Sequence, residues 1–390
     1  MISREREPRS IRLCGWASIC RSDVGWVAVM FGASRLIIVL VMLLARRTVG
    51  LGPYVDVSQQ MEHGGSLLDL FTQWDGVWYR MIATHGYLPP ANPLAPSFFP
   101  FYPILVRAAS FLVGGNMQIA SVLVSNASLF GAALLLYRLL RLDHVDGICR
   151  RAIAFLMLSP LSFYFSAAYS ESTFLFLTVG SALAVRAGRW LPACLLAMCA
   201  AATRPPGMLL GALLLIELLV QWRHTGERLL TWIVPRLLLF GLVPVGVVAY
   251  FTYCHFVLGD FFKPIHAHNV GWEQGMTAPW VTFFQPRVFT ANYIALYQTL
   301  ILIGLAAIVL GGALRVRVSY TVYAVVSALF ALSWGTLDGV PRYISAIFPV
   351  YGGLALCATR WKWTYEPILA LSVALLALCT VLFANAYQIT

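Results

Sequence analysis

The chain has 390 residues, is 60% hydrophobic and 11% charged, and has a mean hydropathy of +0.77. A soluble globular domain carries roughly 25% charged residues, so the composition points to an all-α polytopic membrane protein and excludes a water-soluble enzyme. The net charge of +11 is almost all arginine, with lysine only at Lys263 and Lys362; such an excess reads as anchoring of cytoplasmic loops, and no basic soluble face for nucleic acid is present.

Residues 1–23 form a basic tail with Arg4, Arg6, Arg9, Arg12 and Arg21. Residues 24–45 are long enough to cross about 30 Å of hydrocarbon. They end in Leu44-Ala45-Arg46-Arg47 without a small-residue cleavage pattern, so they read as a retained span. With the tail in the cytoplasm, this span delivers 46–97 to the outside as a first extracytoplasmic loop. Within that loop Leu67, Leu70, Phe71, Trp74, Val77, Trp78, Met81 and Ile82 recur at helical intervals. The stripe predicts an amphipathic helix lying flat on the membrane.

Apolar segments follow at 98–113, 118–140, 151–168, 171–187, 190–203, 207–221, 233–254, 291–313, 317–335, 341–358 and 365–385. The expected total is about 10–12 membrane helices in one domain, 24–390. The charged loops sort onto two faces. Arg138/Arg141/Arg150/Arg151, Arg186/Arg189, Arg223/Arg228, Arg315/Arg317 and Arg360/Lys362 mark a cytoplasmic face. The other face then receives 46–97, 169–171, 204–207, a second extracytoplasmic loop at 255–290, and 337–342. This requires a single net crossing over 98–140, with the proline-broken 98–113 piece re-entrant or surface-lying. The eight cysteines show no CxxC pair or metal-ligand spacing, so neither disulfide framework nor zinc site is expected.

Chemistry concentrates on the second face. Asp75, between Trp74 and Trp78, reads either as a partly desolvated general base or as a helix N-cap. Glu171, between two apolar runs, is expensive unless it faces a cavity or partner; it reads as a second catalytic carboxylate or as a capping or ion-pair residue, with Arg204 as the pairing candidate. Arg204 precedes two prolines and a glycine, a helix break at the bilayer edge, where a guanidinium either forks onto a lipid phosphate or snorkels to the headgroups. Arg342 reads the same way, against an ion pair with Asp338. Lys263, His266 and His268 lie in GDFFKPIHAHNVGW; on an extended segment both imidazoles would face one way, which suits substrate or phosphate contact without a metal. Trp74, Trp78, Tyr79 and Tyr102 form either an interfacial belt or a stacking wall for a sugar. No cofactor is expected, and a divalent metal would require Asp75 and Glu171 to share it.

WDGVWYRMIATHGY followed by FFPFYPILVR resembles the signature of the PIG-V mannosyltransferase family. The resemblance continues through SPLSFYFSAAYSEST, RAGRW…AAATRPPGMLLG, GDFFKPIHAHNVGW and VPRYISAIFPVY. It implies a GT-C fold whose external first loop carries the catalytic Asp, and a polyprenyl-phosphate sugar as donor. By position it assigns catalysis to Asp75, the second acid to Glu171 and the arginine of the TRP motif to Arg204. The family's eukaryotic member adds the second mannose of the GPI anchor. Gly76, Arg80, Lys263 and His268 depart from the pattern, which bears on the acceptor: a glycolipid, glycan or protein. The expected membrane is the bacterial inner membrane or the endoplasmic reticulum. The competing reading is a transporter or flippase, although the polar residues gather on one face instead of at the bilayer midplane.

Overall fold

The computed structural model describes residues 21–52, 66–88, 92–226, 228–272, 275–288, 291–387 and 389. The first 20 residues, with Cys14 and Cys20, and part of the first loop therefore lie outside the described residues. The helices are α1 (Arg21–Thr48), α2 (Leu67–Phe71), α3 (Asp75–His85), α4 (Phe101–Ser110), α5 (Met117–Arg141), α6 (Asp146–Met157), α7 (Glu171–Arg186), α8 (Trp190–Thr203) and α9 (Leu210–Trp222). They continue as α10 (Leu229–Phe240), α11 (Leu242–Leu258), α12 (Lys263–Trp272), α13 (Pro279–Phe284), α14 (Ile294–Ala313), α15 (Val318–Leu332), α16 (Val340–Ser345), α17 (Pro349–Arg360) and α18 (Tyr365–Ala384). No strand occurs among the described residues.

Six helical stretches among the described residues are long and apolar enough to cross a membrane: Asp23–Thr48, Met117–Arg141, Pro205–Trp222, Leu229–Leu258, Ala291–Ala313 and Lys362–Ala384. Shorter apolar helices pack among them. Small residues set the closest crossings, as expected where lipid supplies no hydrophobic drive between helices. A Cβ on Gly353 of α17 would sit 2.1 Å from the Ala307 carbonyl oxygen of α14, and one on Gly246 of α11 would sit 2.2 Å from the Met198 oxygen of α8.

Three departures from regular helix shape one end of the bundle. The apolar run 151–168, expected as one segment, is helical only to Met157. Pro160 cannot donate to the helix ladder and disfavours helical geometry at Ser159, so 158–170 turns back through a short 3-10 segment, Ser162–Phe165. The second break is at Arg204, whose backbone is extended before Pro205 and Pro206. The chain folds so tightly onto α8 that a Cβ on Gly207 would lie 2.2 Å from the Ala201 nitrogen.

The third departure divides the expected flat helix. Its stripe forms two short helices, α2 and α3, in which Leu70, Phe71 and Ile82 are buried, Trp74, Val77, Trp78 and Met81 half-buried and Leu67 exposed. Between them Trp74 adopts φ +57°, uncommon for a residue with a side chain. After it, α4 continues through a 3-10 turn to give an apolar helical stretch Phe101–Val113, which at 1.5 Å per residue rises about 20 Å, less than the hydrocarbon thickness.

Apart from the His266–Asp260 pair, the charged contacts among the described residues fall into two groups. Arg186 binds Asp143 at 2.6 Å, Arg317 pairs with Glu217, and Arg151 donates to Thr359 Oγ1 at 2.8 Å. These belong to the arginine-rich loops. The other group joins residues of 75, 171, 204 and 342.

Candidate active site

Asp75 is the first residue of α3. Trp74 occupies the N-cap position without a side-chain cap bond, so Asp75 is not the cap. Its backbone N–H donates to Tyr169 Oη at 3.3 Å, and its Oδ2 accepts from Arg342 Nη1 at 2.7 Å. Oδ1 has no hydrogen bond among the described residues, and the side chain retains 17% exposure.

Glu171 opens α7 and is almost fully buried, at 1% exposure. Its Oε1 is shared by two guanidiniums: it pairs with Arg204 Nη1, and Arg342 Nε lies 2.9 Å away. Arg342 thus bridges the two acids. Arg204 also covers the Tyr343 ring at 4.3 Å, while Arg342 lies 5.3 Å from Tyr169 and 5.6 Å from Tyr164. Two carboxylates and two guanidiniums form a charge-balanced cluster, and such pairing is what lets charged groups be buried.

The cluster rests on contacts between the first loop and the 158–170 turn. The Ala168 N–H donates to the Phe71 carbonyl at 2.7 Å, and the hydroxyls of Tyr79 and Ser170 are 2.8 Å apart. A Cβ on Gly76 would lie 3.2 Å from that of Ala168, so Gly76 lets the two segments approach. Gln73 donates its side-chain N–H to the Phe383 carbonyl at the end of α18.

The remaining sequence-predicted residues fall in different places. Tyr102 is fully buried, its hydroxyl bonded to the Ser121 carbonyl at 3.0 Å and Ser125 Oγ at 2.9 Å, so it supports the site from within the core and offers no stacking surface. Trp78 stacks on Phe98 at 5.5 Å and touches Trp272, which in turn stacks with His268 at 5.2 Å. Trp78, Trp272 and His268 thus form one aromatic strip beside α3. The HxH segment is helical, which turns residues two apart onto different faces; His266 instead pairs with Asp260 at 2.8 Å. That hydrogen bond holds the Asp260 carboxyl below the usual range. Lys263 begins α12 on the same loop. Among the described residues no group of three or more His, Cys, Asp or Glu is placed to hold a metal.

A family model described as Mannosyltransferase (PIG-V) matches residues 46–256, more than half of the chain, including Asp75, Glu171 and Arg204. The chain belongs to the PIG-V mannosyltransferase family. It is a multi-pass membrane glycosyltransferase, which decides between the enzyme and transporter readings. Among solved structures, this PIG-V family member is similar to ArnT from Cupriavidus metallidurans in the apo state, with 15% identity over 94% of this chain and 77% of that one and a TM-score of 0.51. It is also similar to the same protein bound to undecaprenyl phosphate (15% identity, 94% and 77% coverage, TM-score 0.48). An Archaeoglobus fulgidus oligosaccharyltransferase tethered with an acceptor peptide matches 93% of this chain and 55% of its own, at 12% identity and a TM-score of 0.48. The likeness to apo ArnT shows the fold, of GT-C type. No curated protein sequence matches the chain.

Arg35 is the structural residue that sequence reading passed over. It lies within the first apolar span and reaches the 158–170 turn. An arginine at the centre of a span is the signal that would have drawn attention to it.

Proposed function

We propose that this enzyme transfers mannose from a polyprenyl-phosphate donor to a hydroxyl of a glycolipid, glycan or protein acceptor, on the extracytoplasmic side and with inversion at the anomeric carbon. The observation that carries the reading is the pairing of Asp75 with Arg342: one carboxylate oxygen is held and the other left open. Asp75 Oδ1 takes the acceptor proton as the acceptor oxygen bonds to C1 of the sugar. The bond from C1 to phosphate breaks, and its electron pair leaves with the lipid phosphate. Phosphate is a good leaving group, so the main demand is to stabilise its growing negative charge. Arg342 and Arg204 are the cations nearest the acids, with Glu171 holding both guanidiniums in place. Lys263 and His266 are further candidates for the lipid phosphate, and Trp74, Trp78 and His268 for the substrate wall, while Tyr79 is buried against Ser170 and Tyr102 and serves as support.

An apolar cavity of about 570 Å³ between α3, α4, α8 and α11, lined by residues such as Ile82, Tyr87, Phe101, Met198, Val245 and Tyr253, supports a lipid-linked substrate. Its near absence of polar lining suits a hydrocarbon chain.

The test uses membranes expressing wild type, Asp75→Asn, Glu171→Gln and His266→Ala, supplied with radiolabelled polyprenyl-phosphate mannose. Asp75→Asn should lose transfer by at least about a hundredfold, in line with losing a general base, and Glu171→Gln should lose it through misplaced arginines. Full transfer by Asp75→Asn at normal protein levels would refute the base assignment. Reporter fusions test the sidedness: a fusion after residue 145 should report inside and one after 205 outside.

A further inference from the structure

Arg35 stands near the middle of α1, where neighbouring side chains such as Leu36 and Leu40 are exposed on the outer surface. A cation there is expensive in hydrocarbon, yet its N–H groups are all directed at acceptors. Nε donates to Ser34 Oγ at 3.2 Å. Nη1 donates to the Ser162 carbonyl at 2.9 Å and to Ser166 Oγ at 2.6 Å. Nη2 donates to the Met157 carbonyl at 3.2 Å and to Ser162 Oγ. Apart from Ser34, every acceptor lies in 157–166, where the chain leaves helix.

The match has a physical cause. Breaking a helix at membrane depth frees carbonyl groups that no water can satisfy, and a buried unsatisfied carbonyl is costly. The planar five-donor fork of arginine fits several such acceptors at once, which the compact ammonium of lysine cannot reproduce. Asn126 on α5 completes the clasp: its Oδ1 accepts from Ser166 Oγ at 2.8 Å, and its Nδ2 is 3.4 Å from the Ser166 carbonyl. Within five residues of Ser166 come the Ala168 bond to Phe71, the Tyr169 hydroxyl that accepts from Asp75 N–H, Ser170 against Tyr79, and Glu171 itself. The turn is therefore the common mount of both carboxylates.

We infer that Arg35 is a positioning residue for glycosyl transfer, its guanidinium clamping the 158–170 turn and thereby setting Glu171 against Asp75. The inference rests on the proposed roles of those two carboxylates, and its test has one readout that does not depend on them. Gly76→Cys/Ala168→Cys places two thiols where the Cβ separation is near 3.2 Å. Disulfide formation under mild oxidation, counted with a maleimide polymer against the single-cysteine variants, then reports whether the turn meets the first loop.

Adding Arg35→Gln should lower cross-linking by at least half at unchanged protein abundance, and Arg35→Lys should recover only part of it. Without the cysteines, Arg35→Gln should lower the maximal rate of mannose transfer to endogenous membrane acceptors by about tenfold or more, since misplacement of about an ångström is enough for such losses, while donor KM changes less than about threefold. If Arg35→Gln fails to accumulate, Ser166→Ala, which removes the bonds from Ser166 Oγ to Arg35 and Asn126 and leaves the other Arg35 contacts, should show the same two changes on a smaller scale. Wild-type cross-linking and rate in Arg35→Gln, or in Ser166→Ala where the first does not accumulate, would overturn the inference. So would a rate loss fully accounted for by less folded protein with cross-linking per molecule unchanged. Should wild type transfer no mannose, the functional reading fails, and the cross-linking arm still decides whether Arg35 holds the turn.

Discussion

Arg342 and Asp75 stand 267 positions apart in the chain and meet at 2.7 Å, with the same guanidinium lying 2.9 Å from Glu171. One side chain from the short helix α16 therefore bridges two acids delivered by separate segments.

Replacing Arg342 should expose what the bridge contributes. Arg342→Gln leaves Glu171 paired with Arg204 and Asp75 without an ion-pair partner, and removing one partner of a buried pair costs about 3–5 kcal/mol. Reduced yield of folded protein and a lower Tm in detergent are expected, with transfer abolished. Arg342→Lys keeps the charge without the fork, so it should recover much of the Tm while transfer stays at least about tenfold down. Wild-type rates from Arg342→Lys would show that bridging both acids is unnecessary.

Tyr102 offers a cleaner separation of support from contact. Its hydroxyl bonds only within the core, to Ser121 and Ser125, and Ser125 in turn donates to the Tyr169 carbonyl at 3.2 Å. Tyr102→Phe should cost about 1–3 kcal/mol, the net value of two hydrogen bonds, seen as a fall in Tm. Donor KM should not change. A several-fold rise in KM at unaltered stability would return Tyr102 to the substrate wall.

Chelation is expected to have little effect. Asp75 and Glu171 are each already neutralised by guanidinium contacts, so a divalent cation entering between them would have to displace Arg342 against like-charge repulsion. Transfer measured in EDTA should match the untreated rate. Loss of activity in EDTA that manganese or magnesium restores would show that the arginine arrangement gives way to a metal during turnover.

Much of the site was legible before folding because its members carry local signatures. Asp75 lies among aromatics, Arg204 precedes Pro205-Pro206-Gly207, and Glu171 interrupts an apolar run; each is visible without knowing any neighbour. What escaped was pairing. Sequence proximity suggested Asp338 for Arg342, whereas the fold supplies Asp75 and Glu171. The HxH reading assumed an extended segment, and the helix Lys263–Trp272 turns the two imidazoles apart. Arg35 escaped because a single charge in a long apolar run is tolerated by hydropathy, while its partners other than Ser34 lie more than a hundred residues away.

By itself, the sequence determined a helical membrane protein with many apolar segments, because hydropathy acts over a few residues at a time. Its proline and glycine clusters determined where helices had to break, since a missing N–H or missing Cβ is a property of the residue alone. Only the tertiary structure decided that the turn after α6 meets the start of α3, that Arg204 at the end of α8 pairs with Glu171, and that Arg342 joins the two acids. Those contacts depend on how whole helices pack, and a buried charge takes whichever opposite charge the packing brings within about 3 Å, the reach of a charge-assisted hydrogen bond.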